Sequence, residues 1–124
     1  MDLYREIVLD HFRDPRNKGH LDHATCVGDA TNTTCGDKLT LEFQLDADGK
    51  VSSIAFDGQG CAISQASASL LTEEMKGKTL EEIAAISKED VFRLLGGPVS
   101  AGRENCALLI LRGRDEALKH GHHG

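Results

Sequence analysis

The alternation of apolar and polar residues is strictest between residues 38 and 45, where every second side chain is leucine or phenylalanine. A period of two predicts a β-strand with one buried face. The turn sequence Asp-Ala-Asp-Gly at residues 46–49 follows, and residues 50–57 return with apolar positions at the same period. These segments are therefore predicted to form an antiparallel hairpin. Residues 23–30 show a weaker form of the pattern and are the candidate for a third strand.

A period close to 3.6 residues predicts helices elsewhere in the chain. The apolar stripe within residues 3–12 predicts an amphipathic helix that stops before Pro15. Residues 62–76, rich in alanine, serine and leucine, predict a helix that begins at or just after Cys61 and ends before Gly77. Its small side chains are expected to let this helix lie close against the sheet.

Capping-box patterns at Thr79 and Ser87 predict two short helices, and a final helix is predicted from about Arg103. Strands in the first half and helices in the second predict an α+β domain, an antiparallel sheet packed with helices. With no internal repeat or linker, residues 1–124 are predicted to form one domain. The Gly- and His-containing residues from about 119 to 124 are predicted to be a disordered tail.

The net charge of the chain limits the classes of partner that it is expected to bind. The chain has 14 Lys and Arg against 20 Asp and Glu, a formal net charge of -6, and no basic stretch that could follow a phosphate backbone. We therefore expect no nucleic-acid partner. The sequence also lacks an apolar run long enough for a bilayer and an export pattern at its start, so we expect a cytoplasmic protein without a membrane association.

Four cysteines in a chain of this size do not suggest a disulfide framework, and metal or thiol chemistry is the better use of them. Cys35 precedes a predicted strand, Cys61 marks a strand-to-helix break, and Cys106 lies near the start of the final predicted helix. A helix N-terminus favours the thiolate, the form that binds metals. The spacings match no zinc-ribbon pattern, and composition alone favours the interpretation of the cysteines as small buried apolar residues.

Local context favours a metal site. Glycines surround Cys35 and Cys61 and permit close approach of the backbone. Asp37 is the natural fourth ligand, because soft thiolates with one harder oxygen suit zinc or an iron-sulfur cluster. Cys26 lacks such a context and is interpreted as a structural or incidental thiol.

Five motifs, in a fixed order, make the chain resemble one known family. They are Asp10-His11-Phe12, Pro15-Arg16-Asn17-Lys18-Gly19, Cys35-Gly36-Asp37, Gly60-Cys61-Ala62-Ile63-Ser64 with Ala66-Ser67-Ala68-Ser69, and Cys106-Ala107-Leu108-Leu109. The family is that of the U-type iron-sulfur cluster assembly scaffolds, which comprise IscU, SufU and the N-terminal domain of NifU. The resemblance runs from Tyr4 to about Leu118.

The resemblance implies a three-stranded antiparallel sheet, with Cys35, Asp37, Cys61 and Cys106 converging at one exposed end as ligands of a transient [2Fe-2S] cluster. It implies a carrier and not an enzyme. A PLP-dependent cysteine desulfurase would supply sulfur as a persulfide, with the three cysteines as candidate acceptors, and recipient apoproteins would take the finished cluster.

Departures from the family pattern leave the subtype open. Asn105 stands where IscU-type members have His and SufU-type members usually have Lys, and it is expected to donate to a thiolate or to Asp37, or to cap the final helix. The chaperone-binding segment of IscU is reduced to Pro98-Val99, which argues against a dedicated Hsp70 partner. The residues from Cys61 to Ser64 resemble the SufU type, so a zinc-dependent sulfur acceptor is the alternative function, and a purely structural zinc domain is a third.

A site of three thiolates and one carboxylate also needs nearby positive charge. Lys38 and Arg103, adjacent in sequence to predicted ligands, are the candidates, and the alternative is that both are ordinary surface charges.

Overall fold

A computed structural model describes residues 3–33 and 36–120 of the chain. Within these residues the elements are, in chain order, α1 (Leu3–Arg13), β1 (Cys26–Asn32), β2 (Asp37–Leu45), β3 (Val51–Gln59), α2 (Ala62–Met75), α3 (Leu80–Ala84), α4 (Lys88–Leu95), a 3-10 turn (Ala101–Arg103), α5 (Glu104–Ala107) and α6 (Leu109–His120). A sheet early in the chain and helices packed on it confirm the predicted α+β class. None of the described helices is long and apolar enough to cross a membrane.

The three strands form one antiparallel sheet in the order β1-β2-β3, with β2 in the middle. This confirms both the hairpin and the third strand. Phe43 of β2 opposes Cys26 of β1 on one side and Ile54 of β3 on the other. Together with Leu41 and Phe56 these side chains are buried, so one face of the sheet packs into the hydrophobic core.

The weak hydrophobic pattern of β1 has a cause in packing. Its inward positions are occupied by small or polar residues, among them Gly28 and Ala30. A methyl group at Gly28 would lie 2.2 Å from the carbonyl oxygen of Gly113 and 2.2 Å from the backbone nitrogen of Ala117. Helix α6 thus lies directly on β1, and a strand that admits only small side chains on its inner face gives little hydrophobic signal.

Helix α2 is buried on nearly all sides, including every side chain from Ile63 to Ser69. Its main neighbour is α1, and its contact with β3 is smaller. The expectation that its small residues serve close packing against the sheet is therefore only part of the answer. They also allow α1 and the last helices to approach.

The segment after α1 does more than make the predicted turn. The Gly19 N–H donates to the Phe56 carbonyl at 2.8 Å, and the Phe56 N–H donates to the Asn17 carbonyl at 2.9 Å. Residues 17–19 therefore cover the otherwise free edge of β3. Asn17 adopts φ +66°, a left-handed conformation that asparagine tolerates better than most residues.

His20 then fastens the segment to the outer face of the sheet. Its Nδ1 lies 2.8 Å from Glu42 Oε2 and its Nε2 lies 2.9 Å from Asp57 Oδ2. The two hydrogen-bonded carboxylates raise the pKa of His20 above its ordinary value. The imidazolium form is the one that can donate to both partners.

Both predicted capping boxes are present. The Thr79 side chain accepts from the Glu82 backbone N–H at the start of α3, and the Glu82 side chain accepts from the Thr79 N–H. Ser87 and Asp90 make the same reciprocal pair at the start of α4. Reciprocal capping of this kind satisfies two N–H groups that a helix start otherwise leaves without partners.

The final helix differs from its prediction. It is not continuous from Arg103, because the helix is interrupted at Leu108, between α5 and α6. Cys106 therefore lies in a separate single-turn helix and not in the first turn of a long one. Helix α6 extends to His120, so residues 119 and 120 are helical where a disordered tail was predicted, and residues 121–124 lie outside the described residues.

Candidate metal centre

Three elements bring Asp37, Cys61 and Cys106 together. Lys38 pairs with Gln59, so the first residue of β2 lies beside the end of β3, which leads into Cys61 at the start of α2. Cys106 approaches from α5. One ligand atom from each of the three residues can be chosen so that all lie within 4.8 Å of one another. Residues far apart in sequence thus form one compact donor set.

The Asp37 carboxylate is fixed by the start of α2. Only 2% of Asp37 is exposed, and its Oδ1 accepts from the Cys61 backbone N–H at 3.2 Å. Its Oδ2 lies 4.0 Å from Cys61 Sγ. Cys61 is the N-cap residue but makes no side-chain cap hydrogen bond of its own, so a carboxylate from β2 takes that place. The N-terminus of a helix favours such an anion.

Gly60 makes this arrangement possible. A Cβ atom at residue 60 would lie 2.5 Å from Asp37 Oδ1 and 2.8 Å from the Ser64 hydroxyl oxygen. That hydroxyl in turn donates to the Cys61 carbonyl at 3.0 Å. The carboxylate, the N-cap residue and the first turn of α2 are therefore packed so closely that only glycine fits between them.

Cys35, the remaining predicted ligand, lies outside the described residues. Its neighbour Gly36 is described, and the Gly36 N–H donates to the Asn32 carbonyl at 2.8 Å. Asp37 follows Cys35 by two residues in sequence. The assignment of Cys35 as a ligand therefore stays a prediction.

Cys26 lies far from the other described cysteines. It opposes Phe43 at one end of the β1–β2 pair, whereas Asp37 opposes Asn32 at the other end. Six residues of strand separate the two ends, about 20 Å. Burial raises the pKa of the Cys26 thiol, and the side chain is fully enclosed in the core. A neutral thiol in such surroundings behaves as a small apolar side chain.

The two predicted cations lie in different places. Arg103 lines a hollow of about 380 Å³ together with Asp37, Cys61 and Cys106. Lys38 instead points to the outer face of the sheet, where it lines a different hollow with Thr40 and other residues. Arg103 is thus the cation placed to face the donor set.

Toward the described residues, Asn105 takes neither of its expected roles. It is exposed in the middle of α5, and its side chain makes no hydrogen bond to the rest of the described chain. The residue at the N-cap position of α5 is Arg103. The amide therefore neither caps the helix nor donates to Asp37 within the described residues.

Sequence reasoning missed the residue that ties α5 to α2. The buried Ser67 hydroxyl donates to the Ala107 carbonyl at 2.6 Å, next to Cys106. Helix α2 thus carries Cys61 at its start and, one and a half turns later, holds the short helix that carries Cys106. Nothing in the local sequence distinguishes Ser67 from the other small residues of α2.

Residues 3–120, nearly the whole chain, match the family model described as the NifU-like N-terminal domain. The chain belongs to this family. The match covers each of the elements that build the candidate centre, which confirms the resemblance to the U-type scaffolds.

Two curated relatives illustrate the range of the family. The zinc-dependent sulfurtransferase SufU of Bacillus subtilis strain 168 is 46% identical over 86 residues, which cover 69% of this chain and 57% of that protein. The iron-sulfur cluster assembly scaffold protein IscU 1 of Archaeoglobus fulgidus is 40% identical over 95 residues, which cover 77% of this chain and 61% of that protein. The matched segments thus span about three-fifths of the length of these relatives.

A solved structure agrees with the fold. The structure of a SufU protein from Fervidobacterium islandicum AW-1, described as an iron-sulfur cluster assembly scaffold for the SUF system, aligns with a TM-score of 0.76. It is 29% identical, and the alignment covers 94% of this chain and 96% of that one. The three-stranded sheet with its covering helices is therefore the fold of this scaffold group.

Proposed function

We propose that this protein is a scaffold on which iron-sulfur clusters are assembled, with Cys35, Asp37, Cys61 and Cys106 as the ligands. One observation carries the proposal. Asp37, Cys61 and Cys106 offer ligand atoms within 4.8 Å of one another at the meeting point of three elements, in a family whose relatives include named scaffold proteins.

The donor set suits the proposed cargo. Thiolates bind iron-sulfur clusters and zinc, whereas magnesium and calcium prefer oxygen donors alone. A tetrahedral zinc ion with ligands at roughly 2.0–2.3 Å requires ligand atoms about 3.3–3.8 Å apart. The described atoms, which lie within 4.8 Å of one another, therefore need to close by at most about 1.5 Å around a single ion. The wider spacing also leaves room for a larger cluster.

Asp37 is a suitable ligand for a cluster that the scaffold must release. Its Oδ1 is already occupied by the Cys61 N–H, so Oδ2 is the oxygen available to a metal. A single carboxylate oxygen is a harder ligand than a thiolate and matches a soft iron-sulfur core less well. We therefore assign Asp37 as the ligand that makes the bound cluster labile, while Arg103 in the same hollow offsets the negative charge of the thiolates.

The proposed sulfur donor is a PLP-dependent cysteine desulfurase that carries a persulfide. A thiolate of the scaffold attacks the terminal sulfur of that persulfide, the sulfur-sulfur bond breaks, and the desulfurase cysteine leaves as a thiolate. Cys61 is half-buried and lines the hollow, whereas Cys106 is 3% exposed. Of the described thiols at the centre, Cys61 is therefore the more accessible acceptor. Recipient apoproteins then take the finished cluster, and we place these steps in the reducing cytoplasm.

Reconstitution tests the proposal. The protein is purified under strict anaerobiosis, its metals are measured, and it is then incubated with iron, cysteine and a cysteine desulfurase while the visible spectrum is recorded. We expect sulfide-dependent absorption to grow in and to disappear when an apoprotein acceptor is added. If only zinc is ever bound and no such absorption develops, the scaffold proposal is wrong.

A zinc-dependent sulfur acceptor is the second candidate function. It is supported by the 46% identity to the SufU protein of Bacillus subtilis, which is named a zinc-dependent sulfurtransferase, and by the fit of the donor set to zinc. This function predicts tightly held zinc, transfer of sulfur to a thiol of this chain, and no transferable cluster. The same experiment therefore distinguishes the two candidates.

A further inference from the structure

A third hollow lies beside the loop that leads into Cys61. It has a volume of about 240 Å³ and lies between the end of α1 and the loop at residues 58–60. Phe12 and Pro15 supply its apolar wall, and Lys18, Gln59 and Gln65 supply its polar side chains. Phe12 is 46% exposed, which is unusual for a phenylalanine in this chain, since Phe43 and Phe56 are fully buried.

Within the described residues, one hydrogen-bond donor of Gln65 in this hollow has no partner. Its side chain is only 5% exposed, and Oε1 accepts from Lys18 Nζ at 3.0 Å. An ammonium group can only donate, so this contact fixes which end of the amide is oxygen. The other end, Nε2, is buried without a partner among the described residues. Leaving an amide donor unpaired is costly, and such a group in a native protein calls for an explanation.

Lys18 is also short of a partner of opposite charge. Within the described residues no carboxylate lies at ion-pair distance from its ammonium group, and Gln65 is a neutral acceptor. Lys18 is exposed, so its ammonium group can be reached by an acidic group from outside the described chain. The ammonium group and the Gln65 amide donor are complementary to the same chemistry, a carboxylate.

We propose that this hollow binds a carboxylate on a partner protein, with an apolar side chain of the same segment resting on Phe12 and Pro15. The carboxylate accepts from Lys18 Nζ, and the Gln65 amide turns about its soft terminal torsion to present Nε2. A volume of about 240 Å³ is below the range of sites for drug-sized ligands and accommodates about one residue of a bound chain. The carboxylate belongs either to a chain terminus or to an acidic side chain.

The hollow is close enough to the candidate centre for a partner bound there to lie beside the metal ligands. Gln65 follows Cys61 by one helical turn, and its backbone N–H donates to the Cys61 carbonyl at 3.2 Å. A partner anchored at Lys18 and Gln65 therefore lies about one turn of helix, roughly 5 Å along the axis, from the candidate centre. The binding site itself does not depend on whether that centre holds a cluster or zinc.

Titration of the isotope-labelled, zinc-loaded full-length chain with small probes tests the proposal by NMR. The probes are N-acetyl-phenylalanine, which carries a terminal carboxylate, and acetyl-Glu-Phe-amide, which carries a side-chain carboxylate. N-acetyl-phenylalanine amide is the uncharged control. We expect saturable shifts of the Gln65 side-chain amide with a Kd on the order of 1–10 mM for at least one acid. The acid that binds identifies the source of the carboxylate, and the amide should bind at least about tenfold more weakly.

Matched variants complete the test. Lys18→Met and Gln65→Met are each expected to weaken binding of the acid about tenfold, whereas Lys76→Met should leave it unchanged. Lys76 already pairs with Glu73 and lies about 16 Å farther along α2. Gln65→Met should also raise the Tm by a few degrees, because it removes an unpaired buried donor. The proposal is wrong if neither acid shifts Gln65, if the amide binds equally well, or if Lys18→Met binds the acid as the unchanged protein does.

Discussion

Replacing Gly60 by alanine tests whether the position of the Asp37 carboxylate controls metal binding. The new Cβ would lie 2.5 Å from Asp37 Oδ1 and 2.7 Å from Cγ, so the carboxylate must move by about 1 Å to regain a normal contact. That movement stretches the 3.2 Å hydrogen bond from the Cys61 N–H beyond its useful range. A hydrogen bond to a charged group contributes about 1.5–3 kcal/mol, and we expect a loss of that size.

The loss should appear in metal binding, since the displaced carboxylate is a predicted ligand. Displacing a group that orients a ligand typically costs 10–100-fold in metal affinity, and we expect Gly60→Ala to weaken zinc binding by about that factor. Competition with a chromophoric chelator measures it, and urea denaturation measures the accompanying change in stability. An NMR spectrum of the Cys61 amide shows directly whether its hydrogen bond is lost.

Gly102 provides a control for the added methyl group but not for the backbone, because Gly60 has φ +159°, which alanine rarely adopts, and Gly102 has no positive φ. It lines the same hollow as Asp37, but a Cβ at residue 102 meets no atom within 4 Å. Gly102→Ala should therefore bind zinc as the unchanged protein does. The reasoning is refuted if Gly60→Ala keeps both the zinc affinity and the Cys61 amide shift of the unchanged protein, because the added methyl group would then have disturbed neither the hydrogen bond of the carboxylate nor the metal site.

Three further predictions concern the ligands and the sheet. Asp37→Ala should change the coordination and the release rate of the bound metal. Asn105→Ala should keep the metal stoichiometry with a modest loss of affinity at most, because Asn105 is exposed. Metal analysis and absorption spectra that showed the reverse would contradict this prediction. Cys61→Ser should empty the centre, as should serine at either of the other two predicted thiol ligands, while Cys26→Ser should retain the metal, and equal loss at Cys26 would mean that the ligand set is wrong. The raised pKa of His20 means that its stabilising contribution is full below about pH 6.5 and disappears as the pH rises through the folded-state value. His20→Gln should remove that dependence, and urea midpoints with identical pH profiles in both proteins would disprove it.

The sequence was most informative where the pattern of one element sufficed to define it. The alternation in β2 and β3 follows from one buried face. The capping boxes at Thr79 and Ser87 each involve residues only three positions apart, so the sequence shows both partners. The break at Leu108 was not predicted, because the residues on both sides of it keep a helical spacing of buried positions. Whether such a stretch is one helix or two is decided by what it packs against, which periodicity does not report.

The candidate centre shows the same division between local and tertiary information. Motifs indicated which residue types to expect at positions 37, 61 and 106, and the fold brings these residues together. Which of the two cations faces the site could not be predicted from its position next to a ligand in sequence. Lys38 is next to a predicted ligand, yet successive residues of a strand point to opposite faces, so it faces away while Arg103 lines the hollow.

Helix α2 shows why serine content alone was misleading. Its small residues were predicted to serve close packing, but its buried hydroxyls also have specific partners. Ser64 donates to the Cys61 carbonyl, Ser67 donates to the Ala107 carbonyl, and Ser69 accepts from the Arg16 backbone N–H. An alanine in place of Ser67 or Ser69 would pack as well but would remove a partner of the Ala107 carbonyl or of the Arg16 N–H, whereas the Cys61 carbonyl would still accept from the Gln65 N–H. The helix thus holds α5 and the segment around Arg16 at fixed distances from Cys61, so the geometry of the centre depends on hydroxyl groups that contact no ligand atom.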